Sequence, residues 1–181
     1  MPSSTSSSDP ARNWSILRSF LRALLLVAVP GFVTAEIGFR LAGISFPELG
    51  YPDRERGWKL RPGAQGWIKG ENPEGVYVTI NQDGLRDREH ELTKKPGVFR
   101  VAVLGNSYTE ALVVPLEKTY WAVAQRQMNQ CRPPWIREVE FINFGVGGYG
   151  PAQELITLRS RVWKYRPDAV LLAMVPTHDI R

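Results

Sequence analysis

From residue 98 onward the chain alternates short β-branched apolar runs with longer stretches whose apolar residues recur at helical spacing. Residues 99–104 read as a strand, and residues 118–130 as a helix with Trp121, Ala124 and Met128 at i, i+3 and i+7. Cys131-Arg132-Pro133-Pro134 stops that helix. Residues 139–144 (VEFINF) predict a second strand, followed by the glycine-rich GVGGYG. A second helix starts at Pro151, a residue suited to the first helical turn. It carries Glu154 near its N-terminus and Arg159, Arg161 and Lys164 near its C-terminus, which complements the helix dipole. Pro167 ends it. Residues 168–175 (DAVLLAMV) predict a third strand, and so unbroken an apolar run suits a parallel strand covered on both faces. The order β-α-β-α-β predicts right-handed crossovers and an α/β fold, a three-layer α/β/α sandwich around a parallel sheet. Open sheets of this kind have about five or six strands, so this one is expected to be incomplete at its C-terminal side.

Before residue 98 the pattern is weaker. Residues 43–75 are rich in Gly and Pro and read as an irregular connector, with an extended piece at 66–69. Residues 76–80 (VYVTI) alternate like a strand, and Asn81-Gln82-Asp83-Gly84 is a turn signal. Residues 86–95 are charged and expected to be exposed, His90 among them.

Residues 1–13 are Ser/Pro-rich, with too little apolar surface to fold. Arg18 and Arg22 then precede an uncharged run of 13 residues, 23–35, which as a helix spans roughly 20 Å against roughly 30 Å of hydrocarbon. Two readings fit. The basic flank, the short apolar run, the Pro30-Gly31 break and the small residues before Glu36 suit a signal peptide cleaved after Ala35. The same stretch suits a retained anchor with its arginines inside. Either carries the rest of the chain out of a bacterial-type cytoplasm, into the envelope or periplasm. The chain thus divides into a leader and anchor (1–42), a connector (43–97) and an α/β domain (98–181).

Charge and cysteine content narrow the classes. The net charge is +5, of which +2 lies before residue 41, and the remaining +3 is spread thinly. Without a basic run or an interleaved aromatic stripe, nucleic acid is not an expected partner. The single Cys131 excludes an intramolecular disulfide.

Three strand ends carry candidate chemistry. VAVLGNSYTE ends a strand at Gly105 and sets Ser107 just beyond, at the edge where open α/β sheets place their sites. Ser107 there suits a nucleophile with backbone N–H groups nearby for an oxyanion. Ser107-Tyr108-Thr109-Glu110 also spells a capping box, S-x-x-E, and taken alone reads as a helix start. It is not a G-x-S-x-G elbow, since Thr109 holds the second glycine's place. GVGGYG fits G-x-G-x-x-G, so a dinucleotide site is an alternative, though no acidic residue ends the next strand. The third strand end, Pro176-Thr177-His178-Asp179, offers a hydrogen-bond donor or base.

Taken together, these blocks resemble the SGNH (GDSL-like) ester hydrolases. GNSYTE is similar to that family's G-D-S-[FY]-T-E block, with Asn106 in place of its aspartate. NFGVGGYGPAQE resembles the N-x-G-x-x-G-Y-G block, and MVPTHDIR the G-N-D-I block. Residues 56–89 resemble the segment preceding the hydrolase domain in exported, membrane-anchored members, so the likeness covers roughly residues 35–181. The resemblance implies a serine ester hydrolase with Ser107 as nucleophile and Gly148 as an oxyanion-hole residue. It puts His178 at the position of the oxyanion-hole asparagine. It implies no metal or cofactor, an acyl ester of a saccharide, lipid or small molecule as substrate, and a retained anchor. Two departures stand out. The oxyanion-hole asparagine is His178, which still can donate. The family's D-x-x-H block, source of the base, is missing from these 181 residues, so the chain is expected to be weak or inactive. His90 precedes the first core strand and is not expected to replace that base. A non-catalytic envelope protein and a truncated gene product are the alternatives.

Overall fold

The computed structural model describes residues 10–41, 47–70 and 74–176. They fall into two compact units, Met1–Ser45 and Phe46–Arg181. The first unit holds helix α1, Pro10–Leu41. It begins inside the segment expected not to fold and runs without interruption through Pro30 and Gly31, where the sequence suggests a break. Its apolar part, Leu17–Leu41, is 25 residues long with a mean hydropathy of 1.8. At 1.5 Å per residue that is about 38 Å, more than the roughly 30 Å of a hydrocarbon core. The 13-residue run alone fell short. The helix gains length by taking in Arg18, Arg22 and the pair Glu36–Arg40, which lies one turn apart at 2.7 Å. Length and composition fit a membrane anchor and a signal sequence alike.

In the second unit two antiparallel hairpins come first. β1 (Gly50–Asp53) pairs with β2 (Gly57–Leu60), and β3 (Gln65–Ile68) with β4 (Val76–Thr79). β3 and β4 stand where extended pieces were expected. β1 and β2 fall within the stretch read as irregular. Their turn is organised by Asp53, whose Oδ1 accepts the N–H groups of Glu55 (3.2 Å) and Arg56 (3.0 Å). Lys59 Nζ lies 3.0 Å from its other oxygen. An Asx turn with a cation across the hairpin fixes this register, and apolar alternation does not reveal it. The hairpins bury Leu49, Leu60, Val76, Val78 and Ile80 together with Val146 and Tyr149 of the glycine-rich segment.

The remaining elements follow the expected order: β5 (Val98–Gly105), α2 (Ser107–Glu110), α3 (Tyr120–Cys131), β6 (Glu138–Asn143), α4 (Pro151–Ser160) and β7 (Ala169–Ala173). Strands β5, β6 and β7 form a parallel sheet in the order β6-β5-β7. Side chains alternate across β5. Val101 and Val103 meet Trp121 and Ala122 of α3. Ala102 and Leu104 meet Leu158 of α4 and, in the turn after it, Val162 and Tyr165. Helices thus cover both faces of a mixed α/β unit. β7 departs from expectation: it pairs only with β5 among the described residues, and Val170, Leu171 and Leu172 are exposed. Its apolar run marks an edge strand here and not a covered one.

The charged segment 86–95 is also different from its sequence reading. Arg86 and Asp87 are buried, and the His90 side chain is 5% exposed. His90 Nδ1 lies 2.7 Å from Glu140 and its Nε2 3.0 Å from Asp87. Glu140 also accepts from Arg100 Nε at 2.6 Å, and Arg100 Nη1 reaches the Tyr165 carbonyl at 2.6 Å. Charge in a sequence does not imply exposure where opposite charges and carbonyls converge on it. Burial pushes the His90 imidazole down, but the Asp87 and Glu140 carboxylates outweigh it and raise its pKa to about 9. A pKa raised above the unfolded value of 6.5 gives stability that is complete below pH 6.5 and lost as pH rises through 9. Denaturant unfolding across that window is expected to show this decline, and His90→Gln is expected to flatten it.

Candidate functional site

Ser107 does not cap its helix. Asn106, in extended conformation, is the cap, and its Oδ1 accepts the Tyr108 N–H at 3.1 Å. Ser107 is the first helical residue and is exposed, so its hydroxyl is left out of the cap. Glu110 does not turn back to complete a capping box either. Its Oε2 accepts the N–H of Gly147 at 2.8 Å, in the loop after β6. The S-x-x-E pattern therefore serves another purpose. The turn closes at Ala111, a left-handed residue (φ 54°) whose N–H donates to the Ser107 carbonyl at 2.8 Å.

Two features hold this turn on the sheet. Thr109 wedges between the ends of β5 and β6. A Cβ on Gly105 would lie 2.1 Å from Thr109 Oγ1, and one on Gly145 would lie 2.6 Å from Thr109 Cβ. Glycine at the end of β5 and in the loop just after β6 is what lets Thr109 fit. Behind it, the fully buried Asn143 donates from Nδ2 to the carbonyls of Arg86 (3.1 Å) and Thr109 (3.2 Å). Its Oδ1 accepts the Gly145 N–H at 2.9 Å.

The glycine loop packs directly against Ser107. A Cβ on Gly147 would lie 3.7 Å from Ser107 Cβ and 2.7 Å from Glu110 Oε2. Gly148, next along, has φ +81° and nothing within 4 Å of where a Cβ would stand. It is exposed, at a backbone angle that favours glycine. The structure thus brings Ser107 and the Gly147–Gly148 loop to one edge of the sheet. β7 reaches the same edge, since Ala173 pairs with Gly105. His178 and Asp179, which follow, lie outside the described residues. His90 is set back from that edge: its partner Glu140 pairs with Arg100, five residues before Gly105, and its other partner, Asp87, accepts from the backbone N–H of Asn143, opposite Val103.

Glu110 was legible only as a helix-start residue, yet it is the most perturbed group at this edge. Burial raises its carboxyl to a pKa of about 7, although the Gly147 N–H and the Arg86 guanidinium pull the other way. This carboxyl also weighs against dinucleotide binding. In a phosphate-cradling glycine loop the N–H groups point at the ligand, whereas here the Gly147 donor is already taken by an internal acid. Glu154, buried in the first turn of α4, adds a second carboxyl where a pyrophosphate would sit.

No protein-family model matches this chain, and no curated protein does.

Glu110 also makes a stability prediction. Its folded-state pKa lies above the ordinary 4.5, so the protonated form favours folding. Stability is expected to fall as pH rises from 4.5 through 7, by an amount on the order of a few kcal/mol at most. Glu110→Gln, which keeps an acceptor for Gly147, is expected to remove that decline in a pH series of chemical denaturation.

Proposed function

We propose that this chain is a serine ester hydrolase of the SGNH type, held at a membrane by α1 with its α/β unit outside the cytoplasm. The carrying observation is the approach of the Gly147–Gly148 loop to Ser107 at the C-terminal edge of the sheet. In this reading Ser107 Oγ attacks the ester carbonyl. The backbone N–H groups of Ser107 and Gly148, with the side chain of His178, stabilise the oxyanion. The alcohol leaves, and water then releases the acid from the acyl-serine. The substrate is an acyl ester of a lipid, saccharide or small molecule.

The described residues place no histidine base beside Ser107. His90 is the one histidine among the described residues, and it is clamped between two carboxylates away from Ser107. The chain is expected to hydrolyse p-nitrophenyl acetate at most weakly, and any turnover is expected to be lost in Ser107→Ala and kept in His90→Gln. A fluorophosphonate probe should label Ser107. Absence of any Ser107-dependent labelling or turnover would leave a non-catalytic binding protein as the better description.

The membrane placement has its own test. The intact chain is expected to stay with the membrane fraction through an alkaline wash and to keep its N-terminal residues. Release of a shorter chain beginning after Ala35 would replace the anchor by a cleaved signal.

A further inference from the structure

The first hairpin does more than extend the unit. Together with Pro47–Leu49 and Leu112 it walls a cleft of about 500 Å³, within the size range of small-molecule sites. Leu49, Leu60, Ile68 and Leu112 give it aliphatic surface, and Tyr51 and Trp58 give it aromatic surface. The Trp58 indole lies directly over Gly50, where a Cβ would come within 2.5 Å of the ring. Arg61 is at the rim, with its guanidinium 5.2 Å from the Tyr51 ring centre, and Lys59 stands 4.8 Å from the same ring. A second hollow of about 300 Å³ lies between Ser107 and Val114. The two share Glu110 and Leu112, so the second hollow adjoins the first on the side of Ser107.

We infer that this cleft is an acyl-chain subsite: it takes the aliphatic tail of a medium- or long-chain acyl ester whose carbonyl sits at Ser107. The inference rests on the ester-hydrolase reading and narrows its substrate to lipid-like esters. An acetyl group would leave the cleft unfilled. A saccharide needs many directed donors and acceptors, whereas this wall is mostly hydrocarbon, with charged groups only at Glu48, Arg61 and Glu110. An alkyl chain needs apolar area and nothing else, and each large side chain it covers adds measurable affinity.

The test separates binding from turnover. The full chain, reconstituted in lipid nanodiscs, is irradiated with a medium-chain fatty acid bearing a diazirine at its tail, and the labelled peptides are mapped. Label is expected on the peptides carrying Leu49 to Leu60 and Leu112. Trp58→Ala and Leu112→Arg are each expected to lower it by about tenfold, the loss of one large apolar contact. The Trp58 carbonyl that accepts from Tyr149 survives the first change. Unchanged thermal midpoints show that the variants fold. Label confined to α1 or to the exposed residues of β7 overturns the proposal, as does cleft labelling that a soluble oligosaccharide displaces and a second fatty acid does not. Cleft labelling with an unreactive Ser107 sustains the acyl site and removes the hydrolase reading. A reactive Ser107 with an unlabelled cleft does the reverse.

Discussion

The buried amide of Asn143 is the joint on which the site edge depends. Its donors reach the segment before β5 and the α2 turn, its acceptor holds the loop after β6, and its backbone N–H donates to Asp87 at 2.8 Å. The Arg86–Asp87 segment, the α2 turn and the end of β6 with its loop are thereby held together at one residue. An amide is suited to this because it donates twice and accepts without carrying a charge that burial would penalise. Thr109 then sets the spacing by steric means, and Glu110 ties the glycine loop to the turn. The position of Ser107 beside Gly147 follows from these three contacts, with no contribution needed from Ser107 itself.

The two ends of the sheet are chemically opposite. At the N-terminal end, His90, Glu140, Arg100, Lys94 and Asp168 form paired charges that close the structure. At the C-terminal end the buried groups are an amide, a threonine hydroxyl, the Arg86 guanidinium and a carboxyl that burial drives towards its neutral form. Paired charges resist rearrangement and leave no donor free, which suits a structural end. The glycine backbone between these groups leaves room for a ligand, and open α/β sheets bind theirs at that end.

The core was legible because its signals are local and periodic. The strands at 99–104 and 139–144, the helix beginning at Pro151 and the helix around Trp121 all appear within a residue or two of their expected places. What the sequence hid depends on partners far along the chain. Glu110 spells a capping box with Ser107, and only the arrival of Gly147 shows that its carboxylate turns elsewhere. His90 looks exposed in REHEL until Glu140 comes beside it from β6. The β1–β2 hairpin has no alternating pattern because an Asx turn and a charge pair set it. The apolar run of β7 carries no mark of whether a second neighbour covers it.

Asn106, an asparagine where an aspartate would also cap, gains a physical meaning from the same geometry. Asn and Asp are nearly equal as helix caps, and the amide oxygen does hold the Tyr108 N–H. The exchange therefore costs the α2 turn little, while it takes a negative charge away from the residue next to Ser107. Glu110 acts in the same sense, since a carboxyl with a pKa of about 7 is only partly ionised near neutrality. Arg86 lies behind it, with two guanidinium nitrogens buried and without a hydrogen-bond partner. Compared with an aspartate at 106 and a fully ionised Glu110, this arrangement leaves less negative charge at the edge where Ser107 and Gly148 meet. A reaction that builds negative charge on an oxygen held there is opposed less for that reason.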